Sequence, residues 1–138
     1  MRVTVIVTNE IEDLEDGRAS ERAESTYSAE LTECESGDRL SYSESTEGGE
    51  VFTDIKIMDD RFILRRSGGI SSVMHFEKGR RHLSSYKIPP YEFQMEIQTE
   101  ELSVERTPDR ILLSAKYLMT VGGAEKRCSM ALVVIPEQ

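Results

Sequence analysis

The segment from Asp60 to Glu77, which reads DRFILRRSGGISSVMHFE, constrains the fold of this chain more than any other. On both sides of Ser67-Gly68-Gly69, apolar side chains recur with a period of two, at Phe62, Leu64, Ile70, Met74 and Phe76. This period is typical of strands with one face in water, and glycines supply the positive φ that a tight turn requires. The segment is therefore predicted to be a β-hairpin.

The same alternation recurs along the rest of the chain between short turns. The further predicted strands are Arg2 to Ile11, about 24 to 34, Leu40 to Ser43, Val51 to Met58, Leu83 to Ile88, Phe93 to Val104, Ile111 to Val121 and Arg127 to Ile135. Asp13 to Gly17 is predicted to be a turn. Residues 18–36 also carry a weak helical pattern, and the β-favouring pair Thr26-Tyr27 favours a strand there. No helical block is long enough to cover a sheet. The fold class is therefore predicted to be all-β, a single antiparallel β-barrel of about eight to ten strands, with a two-sheet sandwich as the alternative.

One predicted strand changes the phase of its apolar side chains. Phe93, Met95 and Ile97 share a face with Thr99, whereas the next apolar residues, Leu102 and Val104, lie one position out of phase. A slip of one residue would turn Leu102 and Val104 to the outside. We therefore predict a β-bulge at Thr99 to Glu101, which would also bend the strand as a barrel requires.

The length and composition predict one domain, residues 1–138, of a protein that is soluble and cytoplasmic. No apolar run approaches the roughly 18 residues of a membrane-spanning helix, and the first residues resemble a strand more than a secretion signal. The net charge of −9 disfavours nucleic acid as a partner. Residues 1–60 carry 17 acidic and 5 basic side chains, and residues 61–138 carry 9 and 12. We expect neighbouring strands from the two halves to neutralise each other; a charged partner is the alternative explanation.

The sequence contains none of the common catalytic or nucleotide-binding motifs. Cys34 and Cys128 have no metal-ligand spacing, and His75 and His82 lack a carboxylate or thiol at a matching distance. Ser67 is best explained as a turn former, because no pattern places a base beside it. We therefore expect no catalytic residue, no metal and no cofactor, although enzymatic activity stays an open question.

A set of short motifs extends over residues 38–135. These motifs are Leu40-Ser41-Tyr42-Ser43-Glu44, Phe62 to Gly69, Phe76 with Lys78-Gly79, Tyr86-Lys87, Thr99, Arg110-Ile111 and Tyr117. Taken together, they resemble the YwiB-like family of bacterial proteins of unknown function. The resemblance implies a calycin-type, lipocalin-like barrel and brings no established activity, so it sharpens the architecture and leaves the function open.

The alternation also predicts which side chains line the interior of the barrel. The predicted lining residues are Phe62, Leu64, Arg66, Met74, Phe76, Phe93, Met95, Ile97, Tyr117 and Met119. Arg66 is in phase with Phe62 and Leu64, so its side chain should lean inward near one rim. It could anchor an anionic head group there, or form an internal ion pair with a lumen carboxylate.

Three functions are compatible with such a barrel. The leading hypothesis is a non-enzymatic protein that binds a small amphipathic or anionic molecule in the barrel or at its mouth. The second is a structural or protein-interaction barrel whose core is filled by side chains. The third is a metal-dependent β-tunnel phosphohydrolase, but Leu14 stands where that class of enzyme carries a lysine.

The C-terminal strands carry apolar side chains on both faces, as in Ile111-Leu112-Leu113, Leu118-Met119 and Met130 to Ile135. A solitary barrel needs them only on the inner face. We therefore predict a homodimer in which a second copy covers the outer face of these strands; the alternative is that residues 18–36 fold back over it.

Overall fold

The computed structural model describes residues 1–13 and 21–137. The predicted turn from Asp13 to Gly17 lies mostly outside these residues. The described chain forms ten strands: β1 (Arg2–Asp13), β2 (Glu21–Cys34), β3 (Gly37–Thr46), β4 (Gly49–Ile57), β5 (Arg61–Gly68), β6 (Ser71–Glu77), β7 (Arg81–Ile88), β8 (Tyr91–Thr107), β9 (Arg110–Val121) and β10 (Ala124–Pro136). Each strand pairs in antiparallel fashion with its sequence neighbours, and β10 pairs with β1 to close the barrel. The prediction of a single all-β barrel is confirmed.

The hairpin predicted for Asp60 to Glu77 is present as β5 and β6, with Phe62 opposite Phe76 and Arg66 opposite Ser72. The ambiguous segment is a strand from Glu21 to Cys34, as Thr26-Tyr27 indicated. Its preference for a strand is explained by the ladder with β1, which runs from Arg2 opposite Glu30 to Ile11 opposite Glu21.

The predicted bulge in β8 is also confirmed. Thr99 lies opposite Tyr117 and Glu101 lies opposite Lys116, so Glu100 has no counterpart in β9. The extra residue resets the phase of the strand, and Leu102 and Val104 therefore pack against the core.

The core lies inside the barrel and consists of alternate residues from nine of the ten strands, and the partly buried Tyr86 of β7 packs against it. Its largest fully buried side chains are Phe62 and Phe76, whose rings stack with centroids 4.7 Å apart. Phe76 also meets Tyr117 edge to face at 5.0 Å. Aromatic pairs in these geometries stabilise a core by about 0.5–1.5 kcal/mol beyond their buried area. This part of the interior is therefore filled by side chains.

Two seams interrupt the wall of the barrel. The ladder between β2 and β3 has only five residue pairs, and that between β6 and β7 has only two. A stacked aromatic pair lies at each seam: Tyr27 with Tyr42, at a centroid distance of 4.7 Å, and His75 with His82, at 5.0 Å. Side chains thus contact each other across both seams where backbone pairing is missing.

Neutralisation between the two halves of the chain stays a prediction. Among the described ion pairs, those of Arg106 join the halves, with Nε 3.0 Å from Asp38 Oδ2 and Nη1 2.5 Å from Asp59 Oδ1, and the others stay within one half. Ladder neighbours from opposite halves meet where β1 pairs with β10 and where β4 pairs with β5. Opposite charges face each other in both ladders, Glu12 opposite Arg127 and Asp54 opposite Arg65.

The outer face of β1, β9 and β10 carries half-buried apolar side chains. Ile6 lies opposite Val133, which in turn lies opposite Leu112. This stripe is the surface on which the expected homodimer would rest, and dimerisation stays a prediction. Among the described residues, no helix is long and apolar enough to cross a membrane.

Candidate functional site

A cavity of about 640 Å³ occupies one end of the lumen. Seven of the ten predicted lining residues border it: Leu64, Arg66, Met74, Phe93, Met95, Tyr117 and Met119. The other three, Phe62, Phe76 and Ile97, are fully buried in the filled core. They form part of the packing and do not border the cavity, because the phase of a strand fixes the face of a side chain and leaves its depth undetermined.

Arg66 enters the cavity from β5. Its neighbours in the two adjacent ladders are Thr53 on β4 and Ser72 on β6, both buried and both uncharged. The Nε atom of Arg66 is buried and has no hydrogen-bond partner, and the same is true of the Ser72 hydroxyl opposite it. Two buried polar groups therefore lie side by side without a partner, a situation that costs about 1–3 kcal/mol per group.

Three tyrosines surround this arginine. Burial raises the pKa of the Tyr27, Tyr42 and Tyr117 hydroxyls above their usual range, and the positive charge of Arg66 opposes that rise in each case. Tyr27, Tyr42 and Tyr117 come from β2, β3 and β9, so the charge of Arg66 acts on phenols from three strands of the barrel. At neutral pH these phenols are uncharged hydrogen-bond donors.

Glu44 is the acidic side chain beside the same tyrosines, and the Thr53 hydroxyl donates a hydrogen bond to it at 3.5 Å. The described ion pairs do not include Arg66. Of the two interpretations of Arg66 from the sequence, the internal ion pair is therefore absent from the described side chains, and the Glu44 carboxylate lies near Arg66 without pairing with it.

The mouth of the cavity mixes apolar side chains with a second cation. Phe93 keeps its inward phase but lies at the rim, 43% exposed, because β8 begins only two residues earlier, at Tyr91. Lys126 from β10 borders the same opening. Glu10 from β1 also borders the cavity, so its charged lining consists of two cations and one carboxylate over an apolar wall.

Several lining residues were not predicted from the sequence. Tyr86 on β7, Cys128 and Met130 on β10, and Ile11 on β1 all border the cavity. Each of them is in phase with buried residues of its own strand, so the alternation of apolar residues could have predicted its inward orientation. What the sequence did not indicate was that β10 closes onto β1 and brings their inner faces to the same cavity.

The histidine pair lies at the seam between β6 and β7. The pKa of His75 is lowered by burial first, and then by His82, Arg65 and Arg61, while Glu77 acts in the opposite direction. The Nε2 atom of His82 is buried without a partner. Within the described ranges, no group of three or more His, Cys, Asp or Glu side chains could hold a metal ion.

The fold and the cavity define a class of protein: a closed ten-stranded antiparallel barrel with an apolar pocket and an inward arginine. The family model described as a domain of unknown function (DUF1934) matches residues 5–132, and the chain belongs to this family. A curated relative, the uncharacterized beta-barrel protein YwiB of Bacillus subtilis (strain 168), is 25% identical over 87 residues. That alignment covers 63% of this chain and 61% of the relative, so the match spans less than two thirds of its length.

The crystal structure of the ywiB protein from Bacillus subtilis is similar over nearly the whole chain. The TM-score is 0.88 at 23% sequence identity, and the superposition covers 99% of this chain and 92% of that one. At this identity the similarity establishes the fold alone. The resemblance noted in the sequence is confirmed, and with it the architecture of the barrel.

Proposed function

We propose that this barrel binds a small amphipathic anion, with the anionic group on Arg66 and the apolar part against the lining of the lumen. The observation that carries the proposal is the buried Nε of Arg66, which has no hydrogen-bond partner among the described atoms. A ligand carboxylate or sulfonate would supply the missing acceptor, and the planar guanidinium suits such groups in two-point contacts.

The volume and composition of the cavity support the same class of ligand. About 640 Å³ lies within the range of small-molecule pockets, which is roughly 300–1,000 Å³. The apolar wall includes Met74, Met95 and Met119, and methionine adapts its shape to irregular ligands. An unfilled lumen of this size also favours ligand binding over the alternative of a barrel whose core is completely filled.

The experiment compares dodecanoate with dodecanol, which share a tail and differ in charge. Titration calorimetry would be carried out on the wild-type protein, on Arg66→Met, and on Arg65→Met as the matched control. Arg65 directly precedes Arg66 on β5 and is exposed on the outer face. We expect Arg66→Met to weaken dodecanoate binding by about 1.5–3 kcal/mol, the value of a hydrogen bond to a charged group, and to leave the weaker binding of dodecanol unchanged.

Two outcomes would contradict the proposal. Equal affinity of wild-type and Arg66→Met proteins for dodecanoate would remove the anchor. Binding that survives Met119→Trp, which puts a larger side chain at the wall of the cavity, would place the ligand elsewhere on the molecule.

A further inference from the structure

Strand β2 continues well beyond its ladder with β3. That ladder runs only from Glu30 opposite Ser41 to Cys34 opposite Gly37. Over residues 21–29, β2 pairs with β1 alone, and over residues 42–46, β3 pairs with β4 alone. The seam is therefore bordered by two strand edges that lack a backbone partner among the described residues.

One hydrogen bond shows in which direction the unpaired backbone N–H and C=O groups of β2 point. The Leu31 N–H donates to the Met1 carbonyl at 2.9 Å, so the odd-numbered residues of β2 direct their backbone groups toward β1. Because the direction alternates along a strand, the even-numbered residues direct theirs into the seam. The free N–H and C=O groups on this edge belong to Arg22, Glu24, Thr26 and Ser28.

This edge has only part of the usual protection against a further strand. Exposed edges are commonly protected by charged side chains, above all lysine, by proline or by a bulge. Residues 21–29 contain neither lysine nor proline and pair with β1 in unbroken register, and their charged residues lie at one end, from 21 to 24. Ala23 and Ser25 are exposed even though their phase is inward, whereas Tyr27 stacks on Tyr42 across the seam on the inner side. An approaching strand would therefore reach the edge from the outer side of the barrel.

The charges around the seam select the kind of strand that fits. Glu21 and Glu24 lie on β2, and Glu47 and Glu50 lie at the turn that follows the free part of β3; none of them takes part in a described ion pair. The basic residue of this stretch, Arg22, lies 3.7 Å from Glu10. A second copy of the chain would bring the same acidic groups to the seam and be repelled, whereas a basic segment would be attracted.

We propose that the free edge of β2, residues 21–29, binds an extended peptide with Lys or Arg at alternate positions, which adds to the sheet as a further strand. Main-chain hydrogen bonds to the four even-numbered residues provide affinity, and the glutamates provide selectivity for basic side chains. Ala23 on this edge also borders the lumen cavity, but the main-chain groups that would bind the peptide face the seam, so the proposal does not depend on the function proposed above.

The test uses the acetylated, amidated heptapeptide Lys-Val-Lys-Val-Lys-Val-Lys with the full-length chain. Residue-resolved hydrogen exchange is expected to slow at Arg22, Glu24, Thr26 and Ser28 when the peptide is added. The odd-numbered amides of β2 already bond to β1 and should change little. The same peptide with every residue amide N-methylated keeps its charge and loses the donors on both edges, so its binding should be lost.

A variant of the protein provides the complementary measurement. Thr26→Pro removes one seam-facing N–H and leaves the ladder with β1 intact, since proline is tolerated at an edge. It should weaken binding about fivefold to tenfold, the effect of one hydrogen bond, whereas Thr26→Ala should change it less than about twofold. The N-methylated peptide keeps the test decisive if Thr26→Pro does not fold.

Three results would overturn the proposal. Equal binding of the plain and N-methylated peptides would mean nonspecific attraction between charges. Protection of the even-numbered amides without peptide, at every protein concentration, would mean that the chain covers its own edge. Protection that rises with protein concentration would make a second copy the occupant.

Discussion

Replacing Arg66 by methionine is expected to make the unliganded barrel more stable. The guanidinium Nε is buried without an acceptor, and its ladder neighbours Thr53 and Ser72 are uncharged. Methionine keeps the apolar stem of the side chain and removes the groups that lack partners. The substitution should therefore recover the desolvation cost of the arginine while the surrounding contacts remain.

The size of the effect follows from the exposure of the side chain. An unsatisfied buried polar group costs about 1–3 kcal/mol. Arg66 as a whole is only half-buried, and only Nε among its nitrogens is buried without a partner, so the lower end applies. We expect the free energy of unfolding to rise by about 1 kcal/mol. With an m-value of about 2 kcal/mol/M in urea, the midpoint should rise by roughly 0.5 M.

Urea unfolding followed by far-ultraviolet circular dichroism measures this change, with Arg65→Met as the control. Arg65 is exposed on the outer face, so its replacement should change stability by less than about 0.5 kcal/mol. A loss of 1 kcal/mol or more in Arg66→Met would refute the reasoning. It would mean that hydrogen bonds within the free protein already hold the guanidinium, which would then be a structural group.

Three further predictions concern the wall of the barrel. Gly68 and Gly49 both have positive φ, but a Cβ at Gly68 would lie 2.3 Å from the Glu50 carbonyl oxygen, whereas a Cβ at Gly49 would meet nothing within 4 Å. Gly68→Ala should therefore lose at least about 1 kcal/mol more stability than Gly49→Ala in urea unfolding. Equal losses in the two variants would contradict the close approach of Gly68 to Glu50. Deletion of Glu100 removes the bulge and makes Thr99 and Glu101, the partners of Tyr117 and Lys116, adjacent in a regular ladder that keeps Leu102 and Val104 inward. The deletion should therefore cost less than about 1 kcal/mol in the same assay, whereas deletion of Ser103, which turns Val104 outward, should cost about 2–3 kcal/mol; equal losses would mean that Glu100 is not the residue left outside the ladder. The folded-state pKa of His75 lies below its ordinary value of 6.5, so protonation of His75 opposes folding. The contribution of neutral His75 to the free energy of unfolding should be complete above pH 6.5 and be lost as the pH falls toward the folded-state pKa. A His75→Asn variant should lose less stability over the same range, and parallel pH profiles of the two proteins would contradict this prediction.

Local alternation was sufficient to predict much of the fold. The β5–β6 hairpin and the bulge before Glu101 were both evident from the sequence, because a period of two fixes which face each side chain occupies. The strand at 24–34 was predicted for a weaker reason, the β-favouring pair Thr26-Tyr27. Each of these features depends on residues that are close together in the chain.

The seams could not be predicted in this way. Whether β2 pairs with β3 over five residues or over ten depends on how strands diverge in three dimensions, and nothing in the alternation of either strand marks the point at Glu30 where pairing stops. The same limit applies to the cavity. The sequence correctly predicted inward phase for Phe62 and Ile97 but could not show that both are deep in the filled core.

Arg66 is the position where the local pattern and the environment conflict. A charged residue in phase with Phe62 and Leu64 is a departure from the alternation that specifies the strand, and such conflicts tend to mark functional positions. Whether the conflict is structural or functional depends on the residues opposite it in the adjacent ladders. A carboxylate at either place would have formed an internal ion pair with Arg66, and that pair would hold the barrel wall together. Those residues are instead Thr53 and Ser72, and the nearby Glu44 carboxylate accepts a hydrogen bond from Thr53 and forms no described ion pair with Arg66, so the guanidinium remains able to bind an anion that enters the lumen.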